Sequence, residues 1–227
     1  MGLNISLPTI PMFEGLSITE LEAITPYFLE RSYKRGTIIC LEGDEGDEMY
    51  VIKKGAVKVY HALEEKDVIL AFLREGDCFG EMALMDETQT RSATVETLEA
   101  TILYVLKRQD YLTFLHNHPQ MAVRLLQLTM ARLRKANERI QSFNLLNARS
   151  RIITTILQLA GEYGVPKGQE LIIDFKLTHQ QLADLTGFVR ETVSAILIEL
   201  REEGLIEIEQ KKIRIMNLAL LEEQVTY

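Results

Sequence analysis

The sequence predicts an α+β chain: an antiparallel β-roll of the jelly-roll kind, then a long helix, then a helical pair with a hairpin wing. Three observations carry this. Between 33 and 107, short β-rich runs alternate with glycine-containing breaks; between about 119 and 143, apolar residues recur in a three-four rhythm; between 179 and 216, two short helical patterns bridged by a glycine turn precede two β segments. The chain has 227 residues, 47% hydrophobic and 26% charged, enough for two cores and close to an average globular mixture. With 13 Gly, 5 Pro and 2 Cys, collagen-like, disordered and disulfide-stapled classes are excluded.

The first element is a helix over 17–31, where Ser17 and Glu20 have capping-box spacing and Leu21, Ile24 and Phe28 share one face. Pro26 interrupts it. Strands follow over 37–41, 48–53, 56–61, 68–73, 92–97 and 100–106, separated at Gly36, Gly43, Gly46, Gly55, Gly76 and Gly80. Alternating short strands of this kind close into an antiparallel sandwich or jelly roll.

Pro119 opens the long helix, since proline is tolerated in a first turn. Ala122, Leu126, Thr129, Leu133, Ala136, Ile140 and Phe143 form a heptad seam three heptads long. Such a seam pairs with a second copy of itself or packs on its own domain; pairing makes it a dimerisation helix. Arg124, Arg132, Arg134, Lys135 and Arg139 are expected on its outer face.

A third region starts after a break near Asn147 with a helix over 148–162, a loop through Gly164, Pro166 and Gly168, and a strand over 170–175. Helices over 179–185 and 189–202 flank Thr186, Gly187 and Phe188, and β segments over 205–208 and 213–216 flank a turn. This is the outline of a winged helix-turn-helix. The expected domains are therefore 1–116, 117–146 and 147–227.

Net charge is -8, unevenly spread: 11 Lys+Arg against 20 Asp+Glu over 1–115, 6 against 1 over 116–150, and 8 against 12 over 151–227. An acidic balance argues against indiscriminate nucleic-acid binding and leaves room for a locally basic reading surface. No apolar run approaches the roughly 20 residues of a membrane span, and no basic stretch followed by an apolar core opens the chain. A cytoplasmic protein without a membrane partner is expected.

Two segments carry chemistry. In Phe79-Gly80-Glu81-Met82-Ala83-Leu84, glycine permits a tight turn into a short helix whose free N–H groups suit an anion. Arg91 and Ser92 follow eleven and twelve residues after Gly80 and supply a planar fork and a hydroxyl for phosphate oxygens. Glu81 can accept from a sugar hydroxyl. Read from pattern alone, the same residues also allow a loop closed by an internal Glu81–Arg91 ion pair.

The stretch from Gly76 to Leu84 with Arg91-Ser92-Ala93 resembles the phosphate-binding cassette of cyclic-nucleotide-binding domains, and Arg190-Glu191-Thr192-Val193-Ser194 resembles the recognition helix of the bacterial CRP/FNR transcription regulators. The two lie in that family's order across nearly the whole chain. The resemblance implies Gly80 and the following backbone, including Met82, at a phosphate, Glu81 at a ribose, and Arg91 with Ser92 on the cyclic phosphate. It also implies that Arg132 approaches the ligand. Where the cyclic-AMP-binding member presents Thr then Ser to adenine, this chain has Ala136 then Asn137. Asn137 can donate and accept; Ala136 cannot. Cyclic AMP or another small anionic effector is the implied ligand.

For DNA, the resemblance implies Arg190, Glu191 and Ser194 in the major groove of a two-fold operator. Residues 190, 191 and 194 share a helical face, and Arg and Glu suit guanine and cytosine. Ala195 stands where the family commonly has Arg, which predicts relaxed or altered reading at one base. Thr178, as N-cap, with His179, Gln180, Thr192, Lys211 and Lys212 are the remaining DNA-contact candidates. RNA polymerase is an implied partner, with 161–169 the segment that touches it in some relatives.

His116 and His118 form an H-x-H pair before Pro119 with no third ligand beside them, and two cysteines cannot by themselves hold a cluster, so neither a metal nor an iron-sulfur centre is expected. No Ser, Cys or His assembly has nucleophilic spacing, and no enzyme activity is expected. Cys40 and Cys78 read as ordinary thiols, with a thiol switch the open alternative. Two further readings are a member that binds DNA without ligand, its cassette structural, and a nucleotide-binding regulatory subunit that does not bind DNA.

Overall fold

The computed structural model describes residues 10–64, 66–168 and 170–226. It divides into two compact units, Met1–Arg134 and Lys135–Tyr227, with the boundary inside the long helix.

In the first unit, a 3-10 turn at Pro11–Phe13 precedes helix α1, Ile18–Ile24. Ser17 and Glu20 close the expected capping box. The helix does not reach 31: a 3-10 turn at Thr25–Tyr27 ends it and Leu29–Tyr33 is strand β1. Pro26 is the reason, since it has no N–H for the helical ladder and its ring crowds the turn before it.

The strands that follow are β2 (Ile38–Cys40), β3 (Glu48–Lys54), β4 (Ala56–Ala62), β5 (Asp67–Arg74) and β6 (Cys78–Phe79). After the one-turn helix α2 (Glu81–Met85) come β7 (Thr94–Thr97) and β8 (Thr101–Lys107). They build two antiparallel four-stranded sheets, ordered β1-β8-β3-β6 and β2-β7-β4-β5. Side chains alternate across β3 and β8. Tyr50, Ile52, Leu103 and Val105 fill one cluster with Val57 and Val95 of the other sheet, while Met49, Val51, Tyr104 and Leu106 fill a second with Phe28, Tyr111 and Met121. With both faces covered, each such side chain is worth roughly 1.5 to 3 kcal/mol of burial.

The second cluster is roofed by α1, by helix α3 (Arg108–Asn117) and by the start of helix α4 (Pro119–Leu145). Helix α3 and strands β1 and β6 are not anticipated by the sequence patterns. All seven seam positions of α4 are solvent-exposed in the single chain, Leu133 by 60% and Ile140 by 58%. Packing of this stripe on its own domain is therefore corrected: among the described residues it stays open apart from Phe143, whose ring is met by the Arg139 and Arg151 guanidinium groups.

In the second unit, Asn147 caps helix α5 (Ala148–Tyr163). The expected loop at Gly164, Pro166 and Gly168 is in part strand β9 (Gly164–Lys167), paired with β10 (Glu170–Ile173); Gln169 lies outside the described residues. Pro166 is tolerated because β9 is an edge strand. Helices α6 (His179–Thr186) and α7 (Arg190–Glu202) are joined through Gly187, whose φ of 78° is left-handed. Strands β11 (Ile206–Glu209) and β12 (Lys212–Ile215) make the wing, and helix α8 (Leu218–Glu223) closes the described fold.

Candidate functional site

The cassette is assembled on β6, α2 and the segment before β7. Gly80 takes a left-handed φ of 83° at the N-cap of α2, which turns Glu81 into the protein, where it is only 5% exposed. Arg91 is 7% exposed. Its Nη1 donates to the Gly80 carbonyl at 3.0 Å, and its guanidinium lies 5.7 Å from the centre of the Tyr50 ring. No carboxylate pairs with it among the described residues.

The internal Glu81–Arg91 pair considered from the sequence does not form. Glu81 instead accepts from Arg132 of α4, with Nη1 to Oε1 at 2.5 Å, while Arg132 Nη2 donates to the Cys78 carbonyl at 2.6 Å. The second oxygen, Oε2, is buried and accepts nothing. A buried carboxylate oxygen without a donor is costly and suits a hydroxyl from outside the chain. Ser92 is exposed, and among the described residues its Oγ meets only the weak acceptor Met82 Sδ at 3.5 Å. The structure thus brings Gly80, Glu81, Met82, Arg91, Ser92 and Arg132 together. Asn137 lies exposed on α4 in the other compact unit.

Gly46, expected only as a break between strands, and Tyr50 are site residues that the sequence did not point to. A Cβ on Gly46 would collide with Nε and Cζ of Arg91, and one on Gly80 would stand 2.7 Å from its Nη1. The arginine is threaded between two backbones that only glycine leaves open. The glycines were legible as turn signals; which side chain they admit was not.

Of the α4 cations expected on the outer face, Arg132, Arg134 and Lys135 are exposed, while Arg124 and Arg139 are half-buried, and most of the five have partners. Besides Arg132, Arg124 pairs with Glu14, Lys135 pairs with Glu162, and Arg139 donates to the carbonyl of Leu185. Leu185 lies in the last turn of α6, where a cation meets the carbonyl end of a helix favourably.

In the second unit, Thr178 caps α6: its Oγ1 accepts from Gln181 N–H and donates to Gln181 Oε1. Gln180 donates to Asp184 at 2.7 Å, and Lys212 pairs with Asp174 at 2.6 Å. Arg190 and Glu191 are exposed on the first turn of α7, whereas Val193 points into the core. Ser194 meets the His179 ring at 2.8 Å. Thr192 is half-buried beside them. Lys211 is exposed at a left-handed φ of 68° in the wing turn, and its carbonyl accepts from Leu177 N–H at the approach to α6.

Arg151 was also missed. Its guanidinium lies 4.7 Å from the Phe188 ring centre and 5.0 Å from that of Phe143, and it donates to the carbonyls of Phe143 and Leu146. It ties the turn between α6 and α7 to the end of α4. His118, from the H-x-H pair, meets Glu20 at 2.9 Å and stacks on Phe114. Among the described residues no three His, Cys, Asp or Glu side chains converge on a metal position, and no helix is long and apolar enough to cross a membrane.

Comparison with known proteins agrees with this geometry. The family model of the cyclic nucleotide-binding domain matches residues 30–118, and that of the Crp-like helix-turn-helix domain matches 150–224. The chain is 35% identical to a cyclic AMP receptor protein of Thermus thermophilus, over 94% of this chain and 95% of that protein. It is 33% identical to a global nitrogen regulator of Synechocystis, over 86% of this chain and 88% of that protein. Among solved structures it is similar to a CRP/FNR-family transcriptional regulator from Thermus thermophilus, with a TM-score of 0.71 and 28% identity over 87% of this chain and 98% of that one.

Proposed function

Since the chain belongs to the CRP/FNR family of transcription regulators and carries that family's cyclic nucleotide-binding and helix-turn-helix domains, we propose that it is a homodimeric, sequence-specific DNA-binding regulator under the control of a small anionic ligand. In this reading a sensor over 1–116 is joined by a dimerisation helix over 117–146 to a DNA-binding domain over 147–227.

The observation that carries the ligand is the buried Arg91, which meets a carbonyl and a ring and no carboxylate. A buried cation of this kind is stabilised by an anion from outside. A cyclic phosphate on Arg91 and Ser92, with a ribose hydroxyl donating to Glu81 Oε2, satisfies both groups at once, and cyclic AMP is the first candidate. Arg132 would report occupancy, because it already holds the other oxygen of Glu81.

Arg190, Glu191 and Ser194 are proposed to read a two-fold operator, with recognition helices about one helical turn, roughly 34 Å, apart, and Thr192 to meet a phosphate. Thr178, His179, Gln180, Lys211 and Lys212 are proposed at the phosphates, and RNA polymerase as the partner on the DNA. The exposed α4 seam supports the dimer. Ligand that binds the DNA-competent arrangement better than the other shifts the population toward it.

Calorimetric titration of the dimer with cyclic AMP, with cyclic GMP and Arg91→Ala as controls, tests the ligand. Binding that disappears in Arg91→Ala supports the reading. No heat with either nucleotide, in protein shown to be nucleotide-free, removes both.

A further inference from the structure

We propose that His179 and Ser194 form a proton-controlled reading pair, in which the charge of the imidazole decides whether the Ser194 hydroxyl takes or gives a hydrogen bond in the major groove. The proposal rests on the DNA-binding reading above.

His179 is the first residue of α6, and Ser194 lies half-buried one turn after Arg190 on α7; ring Nδ1 and Ser194 Oγ are 2.8 Å apart. A serine hydroxyl has one proton. When the ring is neutral with Nδ1 bare, that proton is committed to Nδ1, and Oγ offers a base only lone pairs, which suit the amino groups of cytosine or adenine. When the ring is charged, Nδ1–H donates to Oγ instead. The hydroxyl proton is then released toward an acceptor, which guanine O6 or N7, adenine N7 and thymine O4 provide and cytosine does not. The remaining neutral tautomer would turn a bare Nε2 toward the phosphates that the first helix of such a motif crosses, and is disfavoured there.

The surroundings set the direction. Across from the ring on α7 stands Arg190; the wing turn brings Lys211 to the same end of α6, its carbonyl bonded to Leu177. On α6 itself, Asp184 is engaged by Gln180, and α5 sends Arg151 to the far end, at the Thr186 carbonyl. No carboxylate pairs with His179 among the described residues. Burial first, and Arg190 second, hold the ring below its ordinary pKa. DNA phosphates act the other way, so binding takes up a proton in the window between the two values, and affinity rises as pH falls through it. The gain reaches at most tenfold per pH unit for each protomer.

The test is selection of duplexes from a random DNA library by the full-length dimer with cyclic AMP present, at about pH 6 and about pH 8, followed by affinity titrations of the selected duplexes. One step of each half-site is expected to shift from cytosine at the higher pH to guanine or thymine at the lower, by about threefold to tenfold. Ser194→Ala loses the preference at that step at both pH values. His179→Gln, which cannot charge, loses the shift and flattens the pH dependence of affinity. Selected duplexes whose preference and pH slope are the same in wild type and His179→Gln overturn the pair and leave the DNA-binding reading intact. Enrichment of no duplex at either pH, in protein that calorimetry shows to bind cyclic AMP, overturns both.

Discussion

The Arg91 side chain runs so close over Gly46 that any Cβ at position 46 would occupy the space of its Nε and Cζ. Gly46 is not left-handed, so its role is room and not backbone freedom. What would have to yield is the end of a long side chain, which can swing away without unfolding the sheet. Gly46→Ala is therefore expected to keep the fold and its melting temperature while losing the Arg91 position. If the ligand reading holds, its affinity should fall by roughly tenfold to a hundredfold, the range of a charge-assisted hydrogen bond at about 1.5 to 3 kcal/mol. Calorimetry beside Arg91→Ala checks this, and an unaltered affinity contradicts it.

Removal of Arg132 leaves the Glu81 carboxylate buried without its donor. The Arg132 side chain is 43% exposed and that of Glu81 only 6%, so solvent screens one partner and not the other. A destabilisation of about 2 kcal/mol is expected for Arg132→Met, below the full cost of breaking a buried pair. The double variant Arg132→Met with Glu81→Gln should recover part of it, because no charge is then stranded. Denaturant unfolding of the single and double variants measures the coupling.

Glu20 is held at a pKa of about 2, first by the Ser17 backbone N–H, then by the Ser17 hydroxyl and by His118. A depressed carboxylate stabilises the fold above its unfolded value of 4.5 and loses that contribution as pH falls toward 2. The stability difference between wild type and Glu20→Gln should shrink as pH falls from about 5 through this window. A melting series against pH decides it; a difference that persists in acid would show that the capping hydrogen bonds do not depend on the charge.

Both cysteines are buried, and burial pushes the thiols up, Cys40 to about 11 and Cys78 to about 12. Neither forms appreciable thiolate near neutrality, and the thiolate is the reactive form. A thiol-specific reagent should label the native protein slowly at both positions and quickly after unfolding. Peroxide should leave DNA binding unchanged, and its loss, restored by reductant, would establish the switch that burial argues against.

Local signals determined much of this protein. The Ser17 and Glu20 cap, the six glycine-punctuated strands, the α4 seam and the α6-turn-α7 unit were legible because each depends on residues within a turn or two along the chain. The two-residue β6 and the edge strands β1 and β9 were not, since their pairing energy comes from distant partners and their patterns are too short or too irregular to announce it. The same division runs through the site. Gly80, Glu81 and Arg91 could be named from spacing, but spacing allowed Arg91 to answer Glu81. Only the packing of α4 against the cassette gave Glu81 to Arg132, threaded Arg91 past Gly46, and left one buried carboxylate oxygen and one buried guanidinium without counter-groups. Sequence determines which groups are present; which of them satisfy one another is decided by contacts between residues tens of positions apart, where burial makes each pairing, or its absence, costly.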